Sequence, residues 1–241
     1  MTLTSARGPL SPHPAGRFVP PVPAGSLAYV EPHAPRVHAE VDGQIVLDTE
    51  SALIVHRAGR PLTYAFPEGE VGDLPHEPVP EAPGYVQVPW GAVDAWYQEG
   101  RRLVDYPPNP YHRVDCHRTS RRLRVEVAGT VLVDTDDTII LFETALTPKL
   151  YVDKAAVRTD LLRPSDTSTY CNYKGWATYW TAAVGDTVVE DVAWSYEEPL
   201  PESTTIAGCL SFDPERADVS AALPQPAADP PAAGTGQAGG S

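Results

Sequence analysis

Thirteen residues of this chain are written twice. Residues 37–49, VHAEVDGQIVLDT, return 86 positions later as residues 123–135, LRVEVAGTVLVDT. Glu40 with Glu126, Gly43 with Gly129, Asp48 with Asp134 and Thr49 with Thr135 all keep that offset, so the chain carries an internal duplication. The repeated words alternate apolar and polar residues: Val37, Ala39 and Val41 flank His38 and Glu40, and Leu123, Val125 and Val127 flank Arg124 and Glu126. A period of two is that of a half-buried strand. Asp42-Gly43 and Ala128-Gly129 follow. Both positions of a tight two-residue hairpin turn require positive φ, which Asp and Gly tolerate well. Each copy therefore opens with a β-hairpin, and the predicted fold is mainly β, two copies of a compact antiparallel sheet domain.

Further along, Ile139-Ile140-Leu141 answers Leu53-Ile54-Val55 at the same offset. Matching Val93–Trp96 with Val157–Asp160 needs an offset of 64, which places an insertion of 22 residues in copy one. Residues 58–84, crowded with Pro, Gly and acids, read as an irregular surface loop that holds it. Asn109–Arg113 lines up with Cys171–Gly175 at an offset of 62. Copy one then stops early, running through a linker at residues 117–122, while copy two adds a hairpin, residues 179–184 and 187–194 joined by Gly185-Asp186. The predicted organisation is a partial first repeat over 27–118, a complete second repeat over 119–220, and disordered segments at 1–26 and 221–241, where Pro, Gly and Ala leave little apolar surface to offset ordering entropy.

At 241 residues and 42% hydrophobic, the chain can bury two cores of ordinary size. No apolar run approaches the roughly 18 residues that cross a bilayer, and no signal-peptide pattern opens the chain, so no membrane role and a cytoplasmic location are expected. Three cysteines, Cys116, Cys171 and Cys209, are an odd number without paired spacing, which argues against a disulfide framework. Cys116-His117 is an adjacent pair with no second ligand pair, which disfavours a zinc site. A formal charge of −14 makes nucleic acid an unlikely partner, since such binding needs a basic surface. Arg113, Arg118, Arg121, Arg122 and Arg124 crowd the linker with His112 and His117; they form either a solvated run paired with the acidic excess or an anion pocket at the seam.

Most chemical potential lies in Cys171-Asn172-Tyr173-Lys174-Gly175-Trp176-Ala177-Thr178-Tyr179-Trp180. Lys149, Lys154 and Lys174 are the only lysines among eighteen basic residues. In an aromatic pocket of Tyr173, Trp176 and Tyr179, desolvation lowers a lysine pKa and makes the amine a base or Schiff-base former. Cys171 becomes a nucleophile if a cation stabilises its thiolate. Residues three apart on a strand face opposite ways, so Lys174 and Cys171 converge only if 171–175 form a turn, which Asn172 and Gly175 permit. The plainer alternative makes Cys171 a small buried hydrophobe, Lys174 a snorkelling side chain, and Tyr179 and Trp180 sheet core. Glu143 ends an apolar strand, where a polar group exits to water or finds a partner. Tyr111, His112, Arg113 and Asp115 form a polar cluster in copy one, with His112 able to change charge near neutrality. Ser195, between Trp194 and Tyr196, lacks the nucleophile elbow and any following His.

These motifs taken in order, Leu141–Thr144, Asp160–Asp166, Cys171–Gly175, Tyr179-Trp180, Trp194–Tyr196 and Ile206–Gly208, resemble the signature of the domain of unknown function family 427. Residues 27–220 resemble its tandem form, common in high-GC actinobacteria, in which a partial copy carrying Val88-Pro89-Trp90 and Pro110–Asp115 precedes a complete one. The resemblance implies an antiparallel β-tent or Mss4-like fold without that group's paired zinc cysteines, and no established activity. The family carries a nucleotidyltransferase label in some classifications, yet the chain has neither a Gly-rich phosphate loop nor the paired carboxylates of metal-assisted nucleotidyl transfer. Asn172 stands where the family has proline, a change expected to loosen that turn.

The expectation is a small-molecule pocket without metal or cofactor, built with Lys174, Cys171 and Glu143 as candidate catalytic groups and Tyr173, Tyr179, Trp180, Trp194, Tyr111, His112, Arg113 and Asp115 as candidate ligand contacts. Its ligand is a small polar or anionic metabolite. An enzyme using Lys174 or Cys171, of transferase or hydrolase type, is the alternative. A structural or protein-interaction module, which would gather Trp90, Trp96 and Trp176 in an exposed apolar patch, is the third, and a homo-oligomer is compatible with all three.

Overall fold

The computed structural model describes residues 27–225, together with residues 3, 10–14 and 16. Of the disordered segments expected at 1–26 and 221–241, the first lies mostly, and the second from residue 226 on, outside the described residues. Ala221, expected to begin the C-terminal tail, instead ends a strand, and the backbone N–H of Ala222 donates to Arg122 O at 3.0 Å.

The chain is mainly β, and every strand pair is antiparallel. The first half forms β1 (Ala28–Pro32), β2 (Val37–Val41), β3 (Gln44–Thr49), β4 (Leu53–Arg57), β5 (Thr63–Pro67), β6 (Glu77–Pro78), β7 (Tyr85–Gln87), β8 (Ala95–Gln98) and β9 (Arg101–Leu103). They make two sheets, ordered β1-β4-β5-β7-β6 and β3-β2-β8-β9. The second half forms β10 (Val114–Thr119), β11 (Leu123–Val127), β12 (Thr130–Thr135), β13 (Thr138–Glu143), β14 (Lys149–Tyr151), β15 (Leu162–Cys171), β16 (Gly175–Val184), β17 (Thr187–Ser195), β18 (Leu210–Phe212) and β19 (Asp218–Ala221). Its sheets run β10-β13-β14, β12-β11-β19 and β15-β16-β17-β18. Among the described residues no helix is long and apolar enough to cross a membrane.

The repeated words are the β2–β3 and β11–β12 hairpins, and each identity has a physical reason. Asp42 and Ala128 sit at φ of 50° and 49°, each followed by a glycine at positive φ, as the turn requires. A bulge interrupts both hairpins at the same step, after Ala39 and after Val125. Arg36 Nε donates to Asp48 Oδ1 at 2.6 Å and Arg122 Nε to Asp134 Oδ1 at 2.9 Å. Thr49 and Thr135 each accept the backbone N–H two residues on, from Ser51 and Asp137.

The strand register corrects two expectations. Residues 114–119, expected as the end of copy one and a linker, are β10, which pairs with β13 as β1 pairs with β4, again 86 residues on. The boundary expected at 118/119 therefore falls inside a strand of the second half. Nor is the first copy the partial one. Gln98 lies opposite Val37 as Ala221 lies opposite Leu123, so β8 answers β19 rather than residues 157–160. Phe66 pairs with Val86 as Val152 bridges Leu210, so β7 answers β18. Between those paired residues the second half is 38 positions longer, 58 against 20, and the extra length is β15 to β17. The insertion belongs to the second half. The expected hairpin within it is present as β16 and β17.

Each half buries a core between its sheets. Val37, Ala39, Ile54, Phe66 and Trp96 lie in the first and Leu123, Val125, Ile140, Leu150 and Val152 in the second. A third core forms where the insert covers the outer face of β13 and β14: Ile139, Leu141, Tyr151, Ala177, Tyr196 and Ile206. Ile139-Ile140-Leu141 is apolar without alternation because β13 is buried on both faces.

Candidate functional site

Alternation along the strands at the third core sets the site. On β13, Ile139 and Leu141 enter that core while Ile140 points to the other, so Glu143, two residues on, emerges at its rim. On β14, Leu150 faces the inter-sheet core, while Tyr151, on the same side as Lys149, faces the third. The rim encloses a cleft of about 470 Å³ lined by Glu143, Lys149, Tyr151, Lys174, Tyr179, Trp194 and Tyr196.

Residues 171–175 do form the turn that brings Lys174 inward: Lys174 N–H donates to Cys171 O at 3.2 Å, and Gly175 takes φ of 92°. Lys174 is only 8% exposed; its ammonium donates to Glu143 Oε2 and lies 5.8 Å from the Tyr196 ring centroid. Glu143 Oε1 meets His112 Nε2 at 2.9 Å. His112 in turn stacks on Tyr173, with centroids 3.6 Å apart. Burial pushes the Glu143 carboxyl pKa up, but the bonds and charges of His112 and Lys174 outweigh it, and the carboxyl titrates below its ordinary range. Burial raises the Tyr196 and Tyr151 hydroxyls, so both stay protonated donors. The arrangement is a buried ion pair with a histidine on its far side.

His112 reaches this place on a strap from the first half. Asn172 Nδ2 donates to Val104 O at 3.1 Å and Tyr106 O at 2.9 Å, and its Oδ1 accepts from Val104 N at 3.4 Å. Asn109 N donates to the Tyr173 hydroxyl at 2.8 Å. Asn109–Arg113 thus does not repeat Cys171–Gly175 but docks on it. Asn172, expected to loosen the turn, fastens it to the strap.

The other candidates are dispersed. Trp180 neighbours Tyr179 on β16 and so faces the opposite side, packing on the inter-sheet core, with its indole donating to Ser195 Oγ at 3.0 Å. Cys171 packs at the edge of the third core; the Lys174 amine engages Glu143, not the thiol. Of the cluster at 111–115, only His112 reaches the site. Tyr111, 45% exposed, donates to Glu31 at 2.6 Å, and Arg113 pairs with Asp115 at 2.8 Å on the surface. Arg118, Arg122 and Arg124 each meet an acid and Arg121 bonds Ala222 O, so the arginine run forms no anion pocket. Ser195 is fully buried and donates to Glu197 at 2.6 Å, which also receives Lys154 at 2.7 Å. Trp90, Trp96 and Trp176 line a separate cleft of about 780 Å³ between the halves, with Trp176 57% exposed. Among the described residues no group of three or more His, Cys, Asp or Glu side chains is placed to hold a metal ion.

Lys149, Tyr151 and Tyr196 were missed by sequence reasoning. The first two had a signal: their i, i+2 spacing on a strand following Glu143. Residues 115–222, the part of the chain that holds this cleft, match the family model described as a domain of unknown function, DUF427. Over those residues, a little under half of the chain, the protein is similar to the DUF427 family. The match begins inside β10, while the strap and His112 precede it. Comparison with curated proteins finds no match.

Proposed function

We propose that the cleft of the DUF427-like half binds a small anionic metabolite with a planar or apolar portion. The observation that carries this reading is Lys149. Its ammonium stands 5.7 Å from the Trp194 ring centroid and, among the described residues, has no carboxylate partner, in a chain of formal charge −14. The Lys174 charge is answered by Glu143, and Asp213 at the rim by Arg216, which leaves one cation unbalanced in the cleft. Trp194 is fixed by donating to the Tyr151 hydroxyl at 3.0 Å, and with Tyr179 it offers a flat apolar wall. Lys149 supplies charge and the aromatics supply area. The Lys174 amine is engaged by Glu143, so catalysis through Lys174 as a free base draws less support than binding.

A thermal-shift screen with nucleotides, sugar phosphates, amino acids and carboxylates tests the proposal. A ligand at a hundred times its dissociation constant adds about 2.7 kcal/mol of stability. A hit with the wild type that weakens at least tenfold in Lys149→Ala is expected; a hit unaltered by Lys149→Ala overturns the assignment. A blank for both proteins would favour an interaction role, which takes its support from exposed Trp176 at the larger cleft.

A further inference from the structure

The strand that carries Lys149 parts from its neighbour beside the cleft. Val152 and Leu210 exchange both backbone hydrogen bonds at 2.9 Å in an antiparallel bridge, yet β14 and β18 belong to different sheets and, among the described residues, pair nowhere else. Counting back along β14 and forward along β18 from that bridge sets Leu150 opposite Phe212, Lys149 opposite Asp213 and Pro148 opposite Pro214. The two prolines explain why the ladder stops, since neither has an N–H to offer the other strand. Alternation then sorts the parted strand ends by face. Lys149 and Asp213 line the cleft of about 470 Å³, while Pro148, Leu150, Phe212 and Pro214 line a separate pocket of about 180 Å³. Thr147 and Lys149 line both, so the two spaces adjoin at the start of β14.

The pocket is the open end of the inter-sheet core. Leu123 and Ala221, which pair across β11 and β19, close it together with Val219 and Leu223. Its polar lining is confined to Thr147, Lys149 and Ser211, with no acid among them. An apolar cavity of about 150 Å³ stays dry and admits a benzene-sized guest, so the space here suits roughly six carbons. Lys149 is the one charged side chain common to pocket and cleft, and it has no carboxylate partner among the described residues. Asp213, opposite it across the gap, is held by Arg216 at 3.4 Å. A single unbalanced ammonium between an aromatic cleft and an apolar pocket matches a monoanion that carries a compact hydrocarbon group.

Resting on the assignment of an anion to Lys149, we propose that the ligand is a hydrophobic monocarboxylate. Its carboxylate meets Lys149, and its hydrocarbon, of roughly six carbons, passes between the parted ends of β14 and β18 into the apolar pocket. Straight-chain carboxylates from butanoate to decanoate are the probes, titrated into the full chain and followed by ligand-observed NMR. Affinity should rise about fourfold with each methylene up to heptanoate and then level off as the pocket fills. 1-Heptanol, which has the chain without the charge, should bind at least tenfold more weakly than heptanoate. Ala221→Phe, which fills the pocket, should flatten the series and weaken heptanoate at least tenfold, whereas Lys149→Ala should weaken every member. A series that is flat in the wild type, or heptanoate binding unaltered in Ala221→Phe, overturns the proposal and leaves the anion site at Lys149 standing. Absence of binding by every carboxylate overturns it too, and the anion site then rests on the other ligand classes of the thermal-shift screen. Heptanoate binding undiminished in Lys149→Ala, or matched by 1-heptanol, overturns the proposal by showing that hydrocarbon alone is recognised. Should Ala221→Phe fail to fold, the chain-length series and the 1-heptanol comparison on the wild type decide.

Discussion

Arg57 and Glu143 occupy the same place in the two halves. Each ends the strand that follows the repeated hairpin, opposite Ala28 in one half and Val114 in the other. In the first half Arg57 makes a bidentate pair with Glu81, at 2.8 and 2.9 Å, on a partly open surface. In the second the charge is reversed and Glu143, its side chain 9% exposed, is closed in by Lys174 and His112. The scaffold pairs Arg36–Asp48 and Arg122–Asp134 are unchanged between the halves. The duplication has kept the parts that hold a hairpin and altered the strand end that the β15–β17 insert covers. The candidate site therefore lies where the halves differ, and the first half contributes His112 to it.

The largest expected effect tests that contrast directly. Glu143→Ala leaves the Lys174 ammonium buried without its carboxylate and should cost about 3–5 kcal/mol in urea denaturation. Arg57→Ala breaks a more open pair and should cost no more than about 1 kcal/mol. Equal losses would show the two strand ends to be energetically alike and would end the comparison. Next in size is Asn172→Ala, which removes the three bonds that Asn172 makes to the strap and should cost about 2–3 kcal/mol, lowering the melting midpoint by roughly 4–10 °C. If Asn172→Ala melts like the wild type, the strap is held by His112 and Tyr173 alone.

Acid should separate the halves by range. His33 and His56 of the first half are buried, which pushes both pKa values below the ordinary 6.5 despite their bonds to Gln98 and Glu31. The unfolded chain then binds more protons, so their contribution is present above pH 6.5 and is lost as pH falls through the folded values. Glu143 is also depressed, from 4.5, so its contribution begins to fall only below that pH. Melting midpoints should decline in two ranges, the upper flattened by His56→Gln and the lower by Glu143→Gln. A lower range unchanged in Glu143→Gln would assign it to other carboxylates.

Local rules made the hairpins legible, because alternation and a turn dipeptide act within a dozen residues. They did not reveal which copy carries the insertion. Val93–Trp96 and Val157–Asp160 share letters, but strands of three or four residues are defined by their partners, and β8 pairs with β2 while residues 157–160 join no sheet beyond a single bridge. The site was legible as a set of residues but not as an arrangement, for the same reason. His112, Glu143 and Lys174 stand 31 residues apart in turn and meet only through the packing of three separate elements. The separation of Tyr179 from Trp180 was readable, since neighbours on a strand face opposite ways.

The smallest effect returns to the turn that revealed the repeat. Asp42 and Ala128 both take left-handed φ, which Asp tolerates and Ala does not. The second hairpin is therefore held in register against its turn, by Arg124 with Asp134 and by the packing of Val125 and Val127. Ala128→Asn should stabilise the protein by about 0.5–1 kcal/mol, seen as a higher urea midpoint at constant slope, and Asp42→Ala should cost a similar amount. The Asp42 backbone N–H keeps its 2.7 Å bond to Asp94 in either case, so the difference reads the turn preference alone. No gain from Ala128→Asn would mean that the cross-strand pairs, and not the turn, set this hairpin, and that the glycine is the only turn residue the duplication needed to keep.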